Sequence, residues 1–318
     1  MISCTDFIPL YNEFFKFIDC RSGYDGVKRY WAAITEKGCN NPTNPNSLRS
    51  FLEREPGFWG AVHYWEHTLS EESSDVIKIY DLEKKTIAAH MRRCPSKGHL
   101  LDYPHITPYE HYCEHCWIYK PVLNMFGLDT VRDHSAVDKG ECRSIVFEKG
   151  TEPDWEEAFR ITPEKKIWDI RPSDNKYLHR DFHLSGDRCL AYCGEKYGDN
   201  GVDEFLRAFT KVYFGPMIAK IRTKGLSVLE EYLIREYEAE EAPEVLHTSL
   251  DEDGLTVTVD RSPVISYMRS LNQEPSKYYI EETRTVYAEI ADETGYGFSL
   301  DYYHEDGGCR FRIFRRTF

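Results

Sequence analysis

Apolar residues recur at intervals of three and four over two long stretches, residues 6 to 35 and residues 181 to 240. This spacing puts the apolar side chains on one face of a helix, so it predicts amphipathic helices in both stretches. A further helix is predicted near residues 107 to 126, and another near residues 276 to 293. Each of these helices needs a second layer to cover its apolar face.

Alternating apolar and polar positions predict pairs of β-strands between the helices. One hairpin is expected over residues 245 to 259, with a turn at residues 251 to 254 that ends in glycine, the residue that best tolerates a positive φ. A second alternating pair follows each of the later helices. Each half therefore has the predicted order helices, ββ, helix, ββ. This order indicates an α+β fold in which helices cover one face of an antiparallel sheet.

Short motifs return in the same order in the two halves. The segment GECRSIVF at residues 140 to 147 matches GGCRFRIF at residues 307 to 314 in four positions. Earlier in each half, an alternating strand leads to Cys94 and to Ser262, and proline follows both residues. The shared order and nearly constant spacing predict a tandem duplication.

The duplication suggests where the domains begin and end. Residues 1–150 form the predicted first repeat, which carries the cysteine motifs, and residues 177–318 form the second, which carries the histidines. Residues 151–176 are rich in proline and acidic residues and are the predicted linker. Because the repeats are covalently joined, their mutual contact replaces that of a homodimer, so we expect a monomer or weak dimer.

Composition narrows the class of protein. Of 318 residues, 41% are hydrophobic and 14% aromatic, enough to build packed cores. The net charge of −14, without a basic stripe, argues against nucleic-acid binding. No export signal or apolar run of membrane-spanning length occurs, so we expect a cytoplasmic protein without a membrane segment. Its ten cysteines are then expected to be thiols.

The first group of chemically capable residues lies at residues 177 to 183, YLHRDFH. His179 and His183 share a face if this segment is helical, and Asp181 joins them if it is extended. Either geometry can direct imidazoles at a metal or a water. Alternatively, Asp181 caps the helix that follows. Asp6 stands at the matching position of the first half without histidines, which favours capping for Asp181.

The second group contains Cys94, Cys113 and Cys116, with His115 between the last two. Three thiols in this pattern are compatible with zinc ligation, and a cysteine beside histidine is compatible with nucleophilic activation. A closed zinc site needs a fourth ligand, and the candidates are Cys142, His115, His111 and His90.

The two groups are distributed asymmetrically. The first half has the thiols and lacks the histidines, whereas the second half has the histidines and lacks the thiols. This complementary loss predicts one composite site built from both repeats. The alternative is that each half diverged independently for reasons of packing.

Residues 177 to 183 resemble the opening of the L-2-amino-thiazoline-4-carboxylic acid hydrolase family. The Cys94-Pro95, Tyr112-Cys113-Glu114 and Gly140-Glu-Cys142 patterns resemble the closing part of the same kind of domain. That closing pattern is also similar to 4-vinyl-reductase-like domains that bind small molecules. Neither half alone carries both the histidine and the cysteine motif.

The hydrolase resemblance implies that the protein opens a C–N or C=N bond of a small cyclic amidine or related heterocycle. Water activated by a histidine, or a cysteine paired with His115, would attack the amidine carbon.

The implied catalytic residues are His179, Asp181, His183, Cys94, Cys113 and His115. The implied substrate-binding residues are Arg180, Arg143, Arg310 and Tyr112. The metal candidates are Cys94, Cys113, Cys116, His179 and His183, with zinc as the candidate ion. The alternative function is a non-catalytic sensor that binds a small molecule or a metal.

Overall fold

A computed structural model describes residues 3 to 316 of the chain. The chain divides into two compact units. One unit spans Ile18–His179 and is called the central unit here. The other, called the terminal unit, begins at Arg180 and also includes the segment up to Phe17.

The central unit contains six helices, the first of which also contributes residues to the terminal unit. They are α1 (Phe7–Ile34), α2 (Leu48–Arg54), α3 (Phe58–Glu71), α4 (Lys97–Leu100), α5 (Tyr119–Met125) and α6 (Trp155–Phe159). Its strands are β1 (Asp75–Asp81), β2 (Thr86–Arg93), β3 (Leu128–Asp133), β4 (Cys142–Glu148) and β5 (Lys166–Ile170). A 3₁₀ helix spans Tyr112–Ile118 and leads directly into α5.

The five strands form one antiparallel sheet in the order β3-β4-β2-β1-β5. Alternate residues of each strand face opposite sides of a sheet. On one side Val76 packs with Leu69 of α3, and on the other Ile79 packs with Ala158 of α6. Helices therefore cover both faces of this sheet, whereas the sequence pattern predicted cover on one face.

The terminal unit contains α7 (Asp181–Tyr213), α8 (Gly215–Lys224), α9 (Ser227–Ala239), α10 (Pro263–Ser270) and α11 (Tyr279–Thr294). Its strands are β6 (Leu246–Leu250), β7 (Gly254–Val259), β8 (Tyr296–Tyr303) and β9 (Cys309–Arg315). They form an antiparallel sheet in the order β6-β7-β9-β8. Although α7 is 33 residues long, no helix within residues 3 to 316 is long and apolar enough to cross a membrane.

The two sheets repeat one topology. When β1 to β4 are matched in turn with β6 to β9, the four strands have the same neighbours in both sheets. The register agrees too, since Met91 pairs with Cys142 and Val259 pairs with Cys309. The predicted α+β fold, with helices followed by a ββ-helix-ββ antiparallel sheet in each half, is confirmed.

The compact units differ from the domain boundaries predicted from the sequence. Residues 151–176, the predicted linker, contain α6 and β5, and β5 pairs along β1. The segment up to Phe17, part of the predicted first repeat, packs in the terminal unit, where Phe7 stacks on Phe182 at 4.7 Å. Burial of apolar and aromatic surface decides both placements. Proline and acidic residues mark an exposed surface, not necessarily a linker.

Both long helices bend at a glycine. Gly23 in α1 has φ 66° and ψ 177°, and Gly198 in α7 has φ 73° and ψ −177°. Only glycine adopts this combination readily. The two glycines lie equally far beyond Asp6 and Asp181, so the bend is a second feature repeated between the halves.

Replacement of Gly198 by alanine is expected to lower the free energy of unfolding by about 1–3 kcal/mol, because a Cβ is strained in this conformation. Gly186→Ala, in the same helix, is the control. Its Cβ would lie 3.8 Å from Leu10, an ordinary contact, so this change is expected to be neutral or stabilising. Urea unfolding of the two variants measures the difference, and equal effects would contradict the strained bend.

Candidate active site

The Cys-x-x-Cys motif lies on the 3₁₀ helix of the central unit, not on an α-helix. Residues three apart eclipse one another in a 3₁₀ helix, so Cys113 and Cys116 lie on the same side. The helix is anchored by Tyr112, which is fully buried and whose hydroxyl lies 2.7 Å from the Ser96 hydroxyl. Both cysteine residues are half-buried.

Cys116 and His115 form a thiol–imidazole pair. The Cys116 Sγ lies 3.7 Å from His115 Nε2. His115 Nδ1 donates to the Tyr112 carbonyl oxygen at 2.5 Å, which leaves Nε2 facing the sulfur. Burial opposes ionisation of Cys116, but the charges of His115 and Arg132 outweigh it and lower its pKa to about 6. Burial would lower the pKa of His115, yet Cys116 raises it. The two shifts act together, since each favours the charged form of its own group beside the other.

Arg132 of β3 supplies the second positive charge beside Cys116. Its Nε is buried and has no hydrogen-bond partner in the part of the chain that the structure describes. A buried donor without a partner costs free energy, and an anionic ligand would remove that cost. The arrangement suits a carboxylate or a developing negative charge next to the thiolate.

The three other thiols near Cys116, those of Cys94, Cys113 and Cys142, remain protonated at neutral pH. Burial raises the pKa of Cys94 to about 11, although the backbone N–H groups of Ser96 and Lys97 act against it. Burial and the neighbouring thiols raise the pKa of Cys113 to about 12. The pKa of Cys142 is also raised by its burial. Of these four thiols, Cys116 alone is a thiolate at neutral pH.

Glu72 and His179 complete the group. His179 Nδ1 lies 2.8 Å from a Glu71 carboxylate oxygen, and His179 Nε2 lies 3.7 Å from Glu72 Oε1. Burial raises the pKa of Glu72 to about 7, although His179 partly offsets this, and the Cys116 charge acts in the same direction as burial. A carboxyl group with this pKa exchanges protons readily near neutral pH. Glu72 is therefore suited to general acid–base chemistry near Cys116.

The predicted site residues are distributed over both units. Six lie in the central unit around the thiols, namely Tyr112, Cys94, Cys113, His115, Cys116 and His179. Arg143 of the same unit is half-exposed and donates to Asp133 at 2.9 Å, and no contact joins it to Cys116. Arg310 of the terminal unit is similarly exposed, with its Nε 3.6 Å from Asp301.

Arg180, Asp181 and His183 fall in the terminal unit, so the motif at residues 177 to 183 is divided between the units. Arg180 donates to Glu241 at 3.1 Å, and Asp181 accepts from the Tyr267 hydroxyl at 2.5 Å. Asp181 was predicted to be the N-cap of this helix. In the structure Arg180 is the N-cap, and Asp181 is the first residue of α7. Asp181 accordingly positions Tyr267.

The predicted metal ligands are also divided. Within residues 3 to 316, one group of three potential ligands has its donor atoms within 4.8 Å of one another, and it consists of Cys4, His183 and Glu240. Cys94, Cys113, Cys116 and His179 do not belong to it. Cys4, Glu240, Glu72 and Arg132 are the residues that the sequence analysis missed. All four are single residues without a motif, and only the fold brings them to their partners.

Comparisons of the chain with family models, with curated proteins and with solved structures find no match. The fold and the side chains around Cys116 define a two-unit α+β protein that contains a cysteine of lowered pKa. The resemblance to thiazoline hydrolases stays a prediction that rests on the motifs alone.

Proposed function

We propose that this protein is a hydrolase in which Cys116 attacks the amidine carbon of a small cyclic substrate. The observation that supports this most strongly is the Cys116 thiol, whose pKa is lowered to about 6 beside His115. A thiolate is the nucleophilic form of cysteine, and a paired imidazolium is the usual proton donor to its leaving group.

The first step forms a bond between the Cys116 sulfur and the amidine carbon. The π electrons of the C=N bond move to nitrogen, which takes the proton of the His115 imidazolium. When the tetrahedral adduct collapses, the bond to the departing sulfur or nitrogen breaks and Glu72 protonates that atom. This assignment uses the Glu72 pKa of about 7, which leaves a large protonated fraction at neutral pH.

Water completes the reaction. Neutral His115 takes a proton from water as the oxygen bonds to the same carbon, and Cys116 then leaves as a thiolate. The hydroxyl proton of the adduct returns to Glu72 as the carbonyl forms. One water is consumed and every protein group recovers its starting protonation state.

Arg132 is the proposed substrate-binding residue. Its buried Nε lacks a partner within the described residues, and its charge lies beside Cys116. A guanidinium group binds a carboxylate through directed N–H bonds, so a cyclic amidine that bears a carboxylate is the preferred class. His179 is a positioning residue that orients Glu71 and Glu72.

The test is incubation of the full chain with 2-amino-thiazoline-4-carboxylate and with 2-amino-thiazoline. We expect hydrolysis of the carboxylate: cleavage of the C–S bond opens the ring and releases a free thiol, whereas cleavage of the exocyclic C–N bond releases ammonia and leaves the ring closed. The second compound should react roughly 10–100-fold more slowly, since a charge-assisted hydrogen bond contributes about 1.5–3 kcal/mol. Arg132→Gln should remove this preference. Binding without turnover would contradict the proposal and favour a non-catalytic sensor.

A further inference from the structure

Three potential metal ligands converge inside the terminal unit. Cys4 begins the 3₁₀ helix Cys4–Asp6, His183 lies in the first turn of α7, and Glu240 directly follows α9. Their exposed fractions are 0%, 6% and 3%. Three segments far apart in sequence thus bring a thiol, an imidazole and a carboxylate together, and their donor atoms lie within 4.8 Å of one another.

The carboxylate of Glu240 is oriented by two contacts. Its Oε2 lies 2.9 Å from His183 Nε2, and its Oε1 accepts the Cys4 backbone N–H at 2.7 Å. In a tetrahedral zinc site with the usual bond lengths, neighbouring donor atoms lie roughly 3.3–3.6 Å apart. The group therefore needs only a small rearrangement to bind a zinc ion.

The surroundings of Cys4 are acidic. Glu240 contacts the Cys4 backbone, and Glu236 accepts from the Thr5 hydroxyl at 3.1 Å. Both carboxylates are buried. Buried negative charge is costly unless a cation offsets it. A divalent cation would compensate it and stabilise the thiolate form of Cys4.

A pocket borders the group on one side. Its volume is about 270 Å³, and its lining includes His183, Glu240, Arg180, Arg261 and Tyr267. Three protein ligands next to an open pocket are typical of catalytic zinc sites, in which water or a substrate takes the fourth position.

We propose that Cys4, His183 and Glu240 bind a zinc ion whose fourth coordination position faces this pocket. The sulfur, nitrogen and oxygen donors suit zinc, whereas calcium and magnesium prefer oxygen ligands. The site uses none of the residues assigned to the hydrolase, so this inference is independent of the proposed function.

The test is titration of the metal-free full chain with Zn²⁺ against a chromophoric chelator. The variants Cys4→Ser and Glu240→Gln are expected to weaken zinc binding by at least about 100-fold, the upper range seen for residues that only support a ligand. Matched controls are Cys189→Ser, a buried thiol of the same unit, and His247→Gln, an exposed histidine. Both controls should bind zinc as the wild type does.

Cobalt substitution separates this site from the thiols of the central unit. In a chain carrying Cys113→Ser and Cys116→Ser, Co²⁺ should still give a near-ultraviolet thiolate-to-metal charge-transfer band, and the added Cys4→Ser change should abolish it. This readout requires no activity, and circular dichroism checks that each variant is folded. Absence of the band before Cys4 is changed, or zinc binding unaffected by both Cys4→Ser and Glu240→Gln, would overturn the proposal.

Discussion

Ring opening by the Cys116→Ser variant is expected to fall at least about 10³-fold, because a serine hydroxyl is un-ionised at neutral pH and the nucleophile is lost. Cys116 is the one thiol of its cluster with a pKa below neutrality, about 6. The matched change is Cys113→Ser, since Cys113 lies on the same side of the 3₁₀ helix and its pKa is about 12. That variant should keep activity within a few-fold of the wild type.

Steady-state turnover of both variants measures this difference. Loss of activity on Cys113→Ser with activity retained on Cys116→Ser would instead assign the nucleophile to Cys113, one of the candidates that the resemblance implied. Equal loss in both variants, together with loss of folding, would indicate a structural role for the thiols.

Lys78→Met is expected to raise the free energy of unfolding by about 1–4 kcal/mol at pH 6, as replacement of buried charges by apolar side chains often does. Lys78 is 1% exposed, and its Nζ lies 4.3 Å from the Trp168 ring centre without a hydrogen-bond partner among residues 3 to 316. Burial lowers its pKa to about 7, although Glu66 and Glu72 act in the opposite direction. Below pH 7 the buried positive charge of Lys78 therefore lowers the free energy of unfolding.

The sign of the pH dependence follows from these two pKa values. The unfolded chain binds the Lys78 proton up to pH about 10.5, whereas the folded chain releases it near 7, so wild-type stability rises with pH between these values. The increase in the free energy of unfolding caused by Lys78→Met should therefore become smaller as the pH rises from about 7 to about 10.5. Lys166→Met, at an exposed lysine near Trp59, should change stability by less than about 0.5 kcal/mol. A constant gain from pH 6 to 10 would contradict the lowered pKa.

Much of the fold is predictable because local pattern and long-range packing agree. The periodic stretch at residues 6 to 35 becomes α1, and the alternating residues before Cys94 become β2. The duplication extends beyond sequence identity to strand order and register, since Cys142 and Cys309 occupy matching positions. Secondary structure and topology therefore follow from periodicity and repeats.

The division into units is not predictable in the same way. The strand β5 is only five residues long, and it is fixed by its pairing with β1 and by the packing of Ile170 with Val76. The first turns of α1 continue a helix of the first repeat, yet Phe14 packs against Phe205 at 4.9 Å in the terminal unit. Both features depend on tertiary contacts that no local pattern encodes.

The site was predicted in part. The thiols, His115 and His179 carry motifs and were found, but the chemical roles within the Cys-x-x-Cys motif depend on charge. Cys116 differs from Cys113 because His115 and Arg132 lower its pKa, and Arg132 lies on β3, outside any motif. His183 was grouped with His179 by spacing, but its partner is Glu240, far along the chain.

The most direct test of the central claim is the rate at which iodoacetamide alkylates Cys116 as a function of pH, followed at that peptide by mass spectrometry. We predict that the alkylation rate of the wild type reaches half its maximum near pH 6. In His115→Gln, which lacks the positive partner, this pH should be higher. A wild-type midpoint near 8.5, the value for an unperturbed cysteine, unchanged by His115→Gln, would contradict an activated thiolate.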